Sequence, residues 1–189
     1  AIKARFARER DVRLQEGDRS WVAMEGDLAG YESDPYATEA EPREPLTDTV
    51  EVLFIGGGFS ALLTSAKLRE FGVESIRIVE RGADVGGTWY WNRYPGVACD
   101  VVAYDYLPLL DETGYVPTRH YAGGQEILEH CRAIARRYDL YDLAVFQTTV
   151  TSTVWDGDEQ LWHIGTDRGD RMKAKFVICA NGTLSKPKL

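Results

Sequence analysis

The sequence is poor in cysteine, in positive charge and in long hydrophobic runs, and each shortage excludes a class of protein. Its three cysteines, Cys99, Cys131 and Cys179, are scattered and form no C-x-x-C pair, which favours reduced thiols in a cytoplasmic protein over a disulfide framework. The net charge of −8, from 30 acidic and 22 basic residues, argues against a nucleic-acid partner, which would require a basic face. The apolar runs are far too short to span a bilayer, so no membrane partner is predicted.

Metal-ligand spacing is missing as well. The three histidines, His120, His130 and His163, show no metal-ligand spacing, so structural roles and no metal site are predicted. What is present is the composition of an ordinary globular protein, with 44% hydrophobic and 28% charged residues.

The chain has three parts that differ in composition and in hydrophobic pattern. Residues 1–49 are predicted to form an N-terminal extension, with a helix of mixed charge over residues 1–20 and an extended linker, rich in proline and acids, over residues 31–49. Residues 50–180 carry the predicted strands and helices of one domain. Because the chain begins with Ala1 and stops at residues 181–189 without the look of a natural end, we expect a longer polypeptide.

The domain opens with a pattern typical of a βαβ unit. "VEVLFI" (50–55) is a nearly continuous apolar run, as in a parallel strand that is buried on both faces. "FSALLTSAKLREFG" (59–72) has helical periodicity and ends in glycine, and "SIRIVE" (75–80) predicts a second strand. The two strands are therefore expected to be parallel, with a right-handed crossover.

The second half of the domain changes pattern. "GGQEILEHCRAIARRYDL" (123–140) predicts an amphipathic helix. Three strand-like runs follow, over residues 144–155, 160–166 and 171–181, separated by turn residues, and such spacing predicts an antiparallel meander. The predicted fold class is α/β, a Rossmann-like dinucleotide-binding domain with a parallel sheet plus an antiparallel β-meander.

A glycine-rich turn joins the first predicted strand to the first predicted helix and fits G-x-G-x-x-[GA]. Its first glycine allows the tight turn, its second lets the backbone approach a pyrophosphate, and the final alanine keeps the helix close to the sheet. The helix N-terminus then offers free N–H groups to the phosphates. The residues of this turn that are predicted to bind the cofactor are Gly56, Gly58, Phe59, Ser60 and Ala61.

An acid ends the second predicted strand. Glu80 stands 24 residues after Gly56, where a carboxylate can accept hydrogen bonds from ribose hydroxyls. The same charge repels a 2′-phosphate, so FAD or NAD is expected here rather than NADP. Arg81, the next residue, is included in the predicted cofactor-binding set.

"GGTWYWNRYPG" (86–96) follows this acid by a few residues and combines an opening glycine pair with a run of aromatic residues. On composition alone, Trp89, Tyr90 and Trp91 could be anchors in a core or an interface. The flanking Gly86–Gly87 pair and the upstream phosphate loop favour another interpretation. Glycines allow close backbone approach and flat aromatic side chains can wall off an isoalloxazine ring, so we predict FAD.

The stretch "GGTWYWNRYPGVACD" (86–100) resembles the flavin-binding segment of the Baeyer–Villiger monooxygenases, the class B flavoprotein monooxygenases. "ETGYVPTRHYAGGQEILEHC", "FQTTVTS" and "ICANGTLSKPKL" resemble the segments that follow it in that family. The resemblance covers residues 50–189, and residues 1–49 resemble the N-terminal extension of longer members that act on bulky ketones. The chain would then be the FAD-binding portion of a two-dinucleotide-domain flavoprotein, with residues 181–189 starting the crossing to an NADPH domain.

The resemblance also implies roles for single residues. Asp100 matches an acid beside the flavin that orients a catalytic arginine, and Val150 would contact the adenine through its backbone. Tyr106 matches a residue near the ring, and Ala180 and Gly182 belong to the crossing segment. The segment implied to lie along the flavin contributes Gly87, Thr88, Trp89 and Trp91.

The reaction implied by the resemblance uses FAD, NADPH and O₂. Reduced flavin forms a C4a-peroxide that attacks a ketone carbonyl and gives an ester or lactone. A second nucleotide loop, the catalytic arginine and the diagnostic family motif are not in this sequence, so the remainder of the enzyme is an expected partner. Alternatives are a flavin monooxygenase that acts on amines or sulfides, and an FAD-binding module without activity. A disulfide-type FAD reductase is disfavoured because no C-x-x-x-x-C is found near the first helix.

Overall fold

The computed structural model describes residues 2–15, 26, 29–30 and 33–185, without the side chains of residues 13–15. The chain divides into two compact units, residues 1–33 with 186–189, and residues 34–185. In the first unit, helix α1 spans Ile2–Gln15, which confirms the predicted helix over most of residues 1–20. Arg5 and Glu9 pair one turn apart at 2.8 Å on its exposed surface, as expected for a solvated helix of mixed charge.

The second unit contains a six-stranded sheet with helices. Its strands are β1 (Thr49–Ile55), β2 (Ile76–Val79), β3 (Ala144–Val145), β4 (Val150–Asp156), β5 (Leu161–Thr166) and β6 (Arg171–Cys179). Its helices are α2 (Phe59–Glu70), α3 (Thr88–Trp91), α4 (Ala103–Tyr106), α5 (Leu110–Thr113) and α6 (Gly124–Arg137). The strand order is β3-β2-β1-β6-β5-β4.

The sheet combines the two predicted patterns because β6 belongs to both. From Lys173 to Cys179 it pairs in parallel with β1, so the predicted βαβ unit and β6 share one parallel layer with β3. The first half of β6 also pairs antiparallel with β5, which pairs antiparallel with β4. The mixed Rossmann-like fold predicted from the sequence is therefore confirmed.

One predicted strand is wrong in detail. The run over residues 144–155 is not a single strand but the separate strands β3 and β4. The break lies at Gln147, whose φ is +48° and whose N–H donates to the Gly82 carbonyl at 2.9 Å. Thr148 N–H then donates to the Glu80 carbonyl at 3.0 Å. These bonds tie the chain to the segment that follows β2, and the strand cannot continue through them.

Two apolar layers hold the sheet. On one face, α2 and α6 pack side chains against β1 and β2, with Phe54, Leu62, Ile78 and Ile134 fully buried. The helix α6 presents its apolar residues on the buried side, as its periodicity predicts. A second cluster joins β1 and β2 to the meander, and its buried members are Val50, Leu53, Val79, Ile164, Met172 and Ala174. Because β1, β2 and β6 are parallel, their carboxyl ends meet at one edge of the sheet.

Residues 34–48, called the strap below, run along the second unit in an irregular, extended path. The guanidinium of Arg43 donates to both carboxylate oxygens of Asp170 at 2.6 and 2.7 Å, and Asp170 is buried. Leu46 N–H also donates to that carboxylate at 2.7 Å, and Arg171 N–H returns a bond to the Leu46 carbonyl at 2.8 Å. The segment predicted to be an extended linker is extended, and it is also fastened to the sheet.

Beside α2, an apolar groove of about 510 Å³ is lined mainly by Val52, Leu68, Trp162, Phe176 and Ile178. Phe176 is 64% exposed there. Among the described residues, no helix is both long and apolar enough to cross a membrane.

Candidate dinucleotide-binding site

The phosphate loop connects β1 to α2, and its first residue must be glycine. Gly56 has φ of +108°, a conformation that side chains rarely allow. A Cβ atom at Gly56 would lie 2.5 Å from the carbonyl oxygen of Ala180. Ala180 follows β6 directly and donates its own N–H to the Ile55 carbonyl at 2.9 Å. The ends of β1 and β6 are thus packed backbone against backbone at the loop.

The two glycine segments of the sequence contact each other. A Cβ atom at Gly87 would lie 2.8 Å from Gly58 Cα, and Gly86 N–H donates to the Gly57 carbonyl at 3.0 Å. Gly86 has no room for a side chain either, because Leu128 Cδ1 lies 2.5 Å from the Cβ position. The segment that begins "GGTWYW" is therefore held directly against the phosphate loop.

The N-terminus of α2 is open to an anion. The helix is 12 residues long, no side chain caps its N-terminus, and its first turn contains no acid. Leu62 N–H is the first to bond within the helix, to the Gly58 carbonyl at 3.0 Å, so helix geometry leaves the N–H groups of Phe59, Ser60 and Ala61 without intrahelical acceptors. Such a terminus, without side chains in the turn before it, fits a diphosphate.

Glu80 lies at the end of β2 and is only 5% exposed. Its Oε2 accepts the Gly57 N–H at 2.5 Å and its Oε1 accepts the Gly82 N–H at 2.6 Å. Burial raises the pKa of Glu80, and the two N–H donors oppose that rise. Each carboxylate oxygen keeps a further lone pair, so the group can also accept ribose hydroxyls.

The aromatic residues of the site form a packed cluster. Trp89 is 7% exposed, and its indole Nε1–H donates to the Tyr106 hydroxyl at 2.9 Å. Phe59, the first residue of α2, has its ring 5.5 Å from that of Tyr106. Burial raises the pKa of Tyr106, which therefore stays a neutral hydroxyl. Trp89 is thus a core anchor, and its contact with a flavin stays a prediction.

Trp91 and Arg81 form the more open side of the site. The Arg81 guanidinium lies 4.3 Å from the Trp91 ring centroid, a cation–π contact. Arg81 Nη2–H also donates to the Ser185 carbonyl at 3.0 Å. Thr88 begins α3, and its carbonyl accepts the Asn92 side-chain N–H at 2.8 Å. Arg81 therefore joins the helix of the aromatic segment to the segment after β6.

Three further residues are predicted from the resemblance. Val150 begins β4 and packs against the apolar cluster that joins β1 and β2 to the meander. Gly182 has φ of +59° and nothing within 4 Å of its Cβ position. Asp100 is exposed, and within residues 33–185 its side chain has no hydrogen bond or ion pair. Burial is the main cause of the raised pKa of Tyr106, and the Asp100 carboxylate makes a minor contribution to it.

His130 and His163 each lie beside oxygen acceptors. The buried His130 has its Nε2 2.6 Å from the Pro108 carbonyl, and burial lowers its pKa. His163 approaches Asp156 and Glu159, and one ligand atom from each lies within 4.8 Å of the others. The Lys173 ammonium already pairs with Glu159 at 2.5 Å, so a cation occupies that side of the group.

Sequence reasoning missed a second set of residues behind the site. Gly57 and Gly82 bind Glu80 through their N–H groups, and Asp34 of the strap contacts Tyr90 and Ala83. No pattern in the sequence signals these contacts. Asp34 and Tyr90 are 56 residues apart, and Asp34 lies in a stretch whose prolines and acids predict only a linker.

The chain resembles known proteins over all of its length. Residues 55–110 match the model of the NAD(P)-binding Rossmann-like domain. The whole chain is 50% identical to part of neopentalenolactone D synthase from Streptomyces avermitilis, of which it spans 32%, and 48% identical to part of a Baeyer–Villiger monooxygenase from Streptomyces coelicolor, of which it spans 31%.

A solved structure gives the same result. Polycyclic ketone monooxygenase from Thermothelomyces thermophila superposes on 93% of this chain with a TM-score of 0.84 and 32% identity, and the match covers 31% of that protein. The chain therefore spans about a third of the length of these relatives. The loop, the acid and the aromatic segment all lie in the matched region, so the chain is similar, over its full length, to about a third of the length of named Baeyer–Villiger monooxygenases.

Proposed function

We propose that this chain is the FAD-binding part of an FAD- and NADPH-dependent monooxygenase that inserts one atom of O₂ beside a ketone carbonyl and forms an ester or lactone. The observation that carries the proposal is the backbone contact between Gly58 and Gly87. It joins a general dinucleotide loop to the aromatic segment that resembles the flavin-binding stretch of the family. The identity to named Baeyer–Villiger monooxygenases supports the same function.

FAD fits the residues present. Gly56, Gly58 and the first N–H groups of α2 would hold the diphosphate, and Glu80 would accept the ribose hydroxyls. When bound, FAD supplies the chemistry that activates O₂ after reduction by NADPH. An adenine close to the start of β4 would agree with the place of Val150, and the crossing residues Ala180 and Gly182 lie beyond the end of β6.

The remaining residues would orient the cofactor and keep water out. Trp89 and Tyr106 are locked together by a hydrogen bond and form a rigid apolar wall. The exposed carboxylate of Asp100 has no partner in the described part of the chain and is available to pair with a cation from another part of the polypeptide. We propose that it orients an arginine there, as the family resemblance implies.

The substrate would be a bulky or cyclic ketone. Relatives and solved neighbours are named for polycyclic ketones, cyclohexanone and steroids, and one of these structures carries NADP. The rest of the polypeptide would supply the NADPH site. A cytoplasmic location is part of the proposal, supported by the three described cysteines, which are all free thiols.

The test uses the purified full-length protein, reconstituted with FAD and supplied with NADPH under ¹⁸O₂. We expect a flavin absorbance spectrum, NADPH oxidation that a polycyclic or steroidal ketone accelerates, and one ¹⁸O atom in the lactone product. NADPH oxidation that responds to an amine or a sulfide and never to a ketone would overturn the reaction. The absence of bound flavin after reconstitution would overturn the cofactor.

A further inference from the structure

The strap contacts the back of the aromatic helix through one carboxylate. Asp34 Oδ2 accepts the Tyr90 hydroxyl proton at 2.6 Å and the Ala83 N–H at 3.1 Å. The same Ala83 N–H lies 3.0 Å from the Tyr90 oxygen. Tyr90 is 2% exposed, and burial together with its bond to Asp34 raises the pKa of its phenol well above the usual value. Tyr90 therefore stays a donor to Asp34.

Arg93 strengthens the same contact. Its guanidinium carbon lies 4.0 Å from the Tyr36 ring centroid and 4.5 Å from that of Tyr90. Its Nε–H donates to the Tyr90 carbonyl at 2.8 Å, and the two tyrosine rings meet edge to face at 5.9 Å. Two residues of the strap thus hold two residues of the aromatic segment.

This contact continues to the predicted ribose acid. A Cβ atom at Gly82 would lie 2.7 Å from Tyr90 Cε1, so the tyrosine ring fixes where Gly82 can stand. Gly82 N–H donates to Glu80 Oε1, and Glu80 Oε2 accepts the Gly57 N–H of the phosphate loop. An unbroken series of contacts therefore runs from Asp34 through Tyr90 and Gly82 to Glu80.

We propose that Asp34 is a positioning residue for the FAD site, acting through Tyr90 and the Gly82–Ala83 turn on the ribose-binding carboxylate and on the aromatic helix. The proposal rests on the proposed function, because it assigns the cofactor of that site. It gives the N-terminal strap a role in holding FAD, beyond joining two parts of the chain.

The negative charge of Asp34 is what distinguishes this role from simple packing. A carboxylate accepts both the Tyr90 and the Ala83 protons in charge-assisted hydrogen bonds, which are stronger than neutral ones. In Asp34→Asn the shape is kept and the charge is lost. We expect the dissociation constant of FAD to rise about tenfold, the size expected from losing one such bond.

Asp48→Asn is the matched control. Asp48 lies on the same strap and accepts two hydrogen bonds from the Arg77 guanidinium, at 2.8 and 3.2 Å. It stands at the opposite end of β1 from the phosphate loop. This variant also loses a charge-assisted contact, and it leaves the Asp34–Tyr90 pair intact.

The experiment measures FAD affinity by titration of the full-length apoprotein, and the visible circular dichroism of the flavin at saturating FAD. We expect Asp34→Asn to weaken FAD binding and alter the flavin circular dichroism, and Asp48→Asn to change neither. Tyr90→Phe should weaken binding by a similar factor. The double variant Asp34→Asn/Tyr90→Phe should be no weaker than the worse single variant, because both remove the same bond.

Two outcomes overturn this inference alone. One is that Asp34→Asn binds FAD with wild-type affinity and an unchanged flavin signal, and the other is that Asp48→Asn has the same effect as Asp34→Asn. If the wild-type protein itself binds no FAD, the proposed function has failed, and the two failures are distinguished by the wild-type titration.

Discussion

The aromatic segment "GGTWYWNRYPG" (86–96) is held from two sides, by backbone contacts on one side and by side-chain contacts on the other. The phosphate loop meets it where side chains are missing, with Gly58 against Gly87 and a backbone hydrogen bond from Gly86. The strap meets it through side chains, with Asp34 on Tyr90 and Tyr36 beside Arg93. Two backbones can approach this closely only at glycines, so the contact leaves a recognisable glycine pattern in the sequence. A contact made by a few polar side chains leaves no such pattern.

The two sides also differ in what a substitution does. On the loop side, a Cβ atom added at Gly56 or Gly87 collides with packed backbone. On the strap side, a substitution removes attractive contacts of charged groups, and the cost depends on burial and on pH. Variants on each side should therefore fail in distinguishable ways.

The largest effect is expected at the loop. In Gly56→Ala the new Cβ meets the Ala180 carbonyl while φ stays positive, so we expect a loss of about 3 kcal/mol or more in the free energy of unfolding and no retained FAD. Gly72→Ala is the control, since Gly72 also has a positive φ, +84°, but nothing within 4 Å of its Cβ position. For Gly72→Ala, urea unfolding should show a loss of only about 1 kcal/mol in the free energy of unfolding. Equal losses in the two variants would show that the Ala180 contact does not matter.

The next effect is expected where the strap is anchored. In Arg43→Gln the buried carboxylate of Asp170 loses its bidentate partner, and an uncompensated buried charge should lower the free energy of unfolding by about 3 kcal/mol. Lys175→Gln breaks the exposed pair with Glu51 and should leave stability unchanged. Thermal and urea unfolding measure both, and a stable Arg43→Gln protein would contradict a fastened strap.

The same anchor predicts a dependence on pH. The Arg43 guanidinium holds the pKa of the Asp170 carboxyl well below its usual range. Because the folded-state pKa is depressed, the stabilisation is fully present above the ordinary aspartate pKa of about 3.9 and is lost progressively as pH falls below it. The stability difference between wild type and Asp170→Asn, about 2 kcal/mol at pH 7, should therefore shrink between about pH 4 and pH 2. A difference that stays constant over that range would contradict the ion pair as its source.

A smaller effect is expected at Trp89. Trp89→Phe removes the indole N–H that donates to Tyr106 and leaves a gap beside α6, so we expect a loss of about 1.5 kcal/mol and weaker FAD binding. Trp155→Phe is the matched control, because Trp155 is 46% exposed on β4. If FAD affinity falls equally in both variants, Trp89 does not wall the cofactor site.

Local patterns predict much of the fold, and they predict the loop and the acid of the candidate site. The runs 50–55 and 75–80 become parallel strands with a helix between them, because apolar continuity and helical period are local properties. Glu80 lies where the strand-end rule places it, in contact with the loop. The strand over residues 144–155 was predicted wrongly because the bond from Gln147 to Gly82 is a tertiary contact.

The contacts that hold the strap and the aromatic segment join residues that are distant in the sequence. Arg43 and Asp170 are 127 residues apart, and nothing in the proline-rich stretch indicates which of its acids and arginines find partners. The aromatic run also proved to have two roles in the fold, since Tyr90 is buried against the strap and Trp89 against Tyr106. The sequence shows only that both residues have flat aromatic side chains, and the packing in the structure distinguishes their roles.

The most direct test is the flavin content of the purified full-length protein, wild type and Gly56→Ala side by side after reconstitution with FAD. If the loop and the aromatic segment form one FAD site, the wild type should carry one flavin per polypeptide, with its visible absorbance and circular dichroism, and the folded fraction of Gly56→Ala should carry none. A colourless wild-type protein would contradict the site, and so would a Gly56→Ala protein that retains a full complement of FAD.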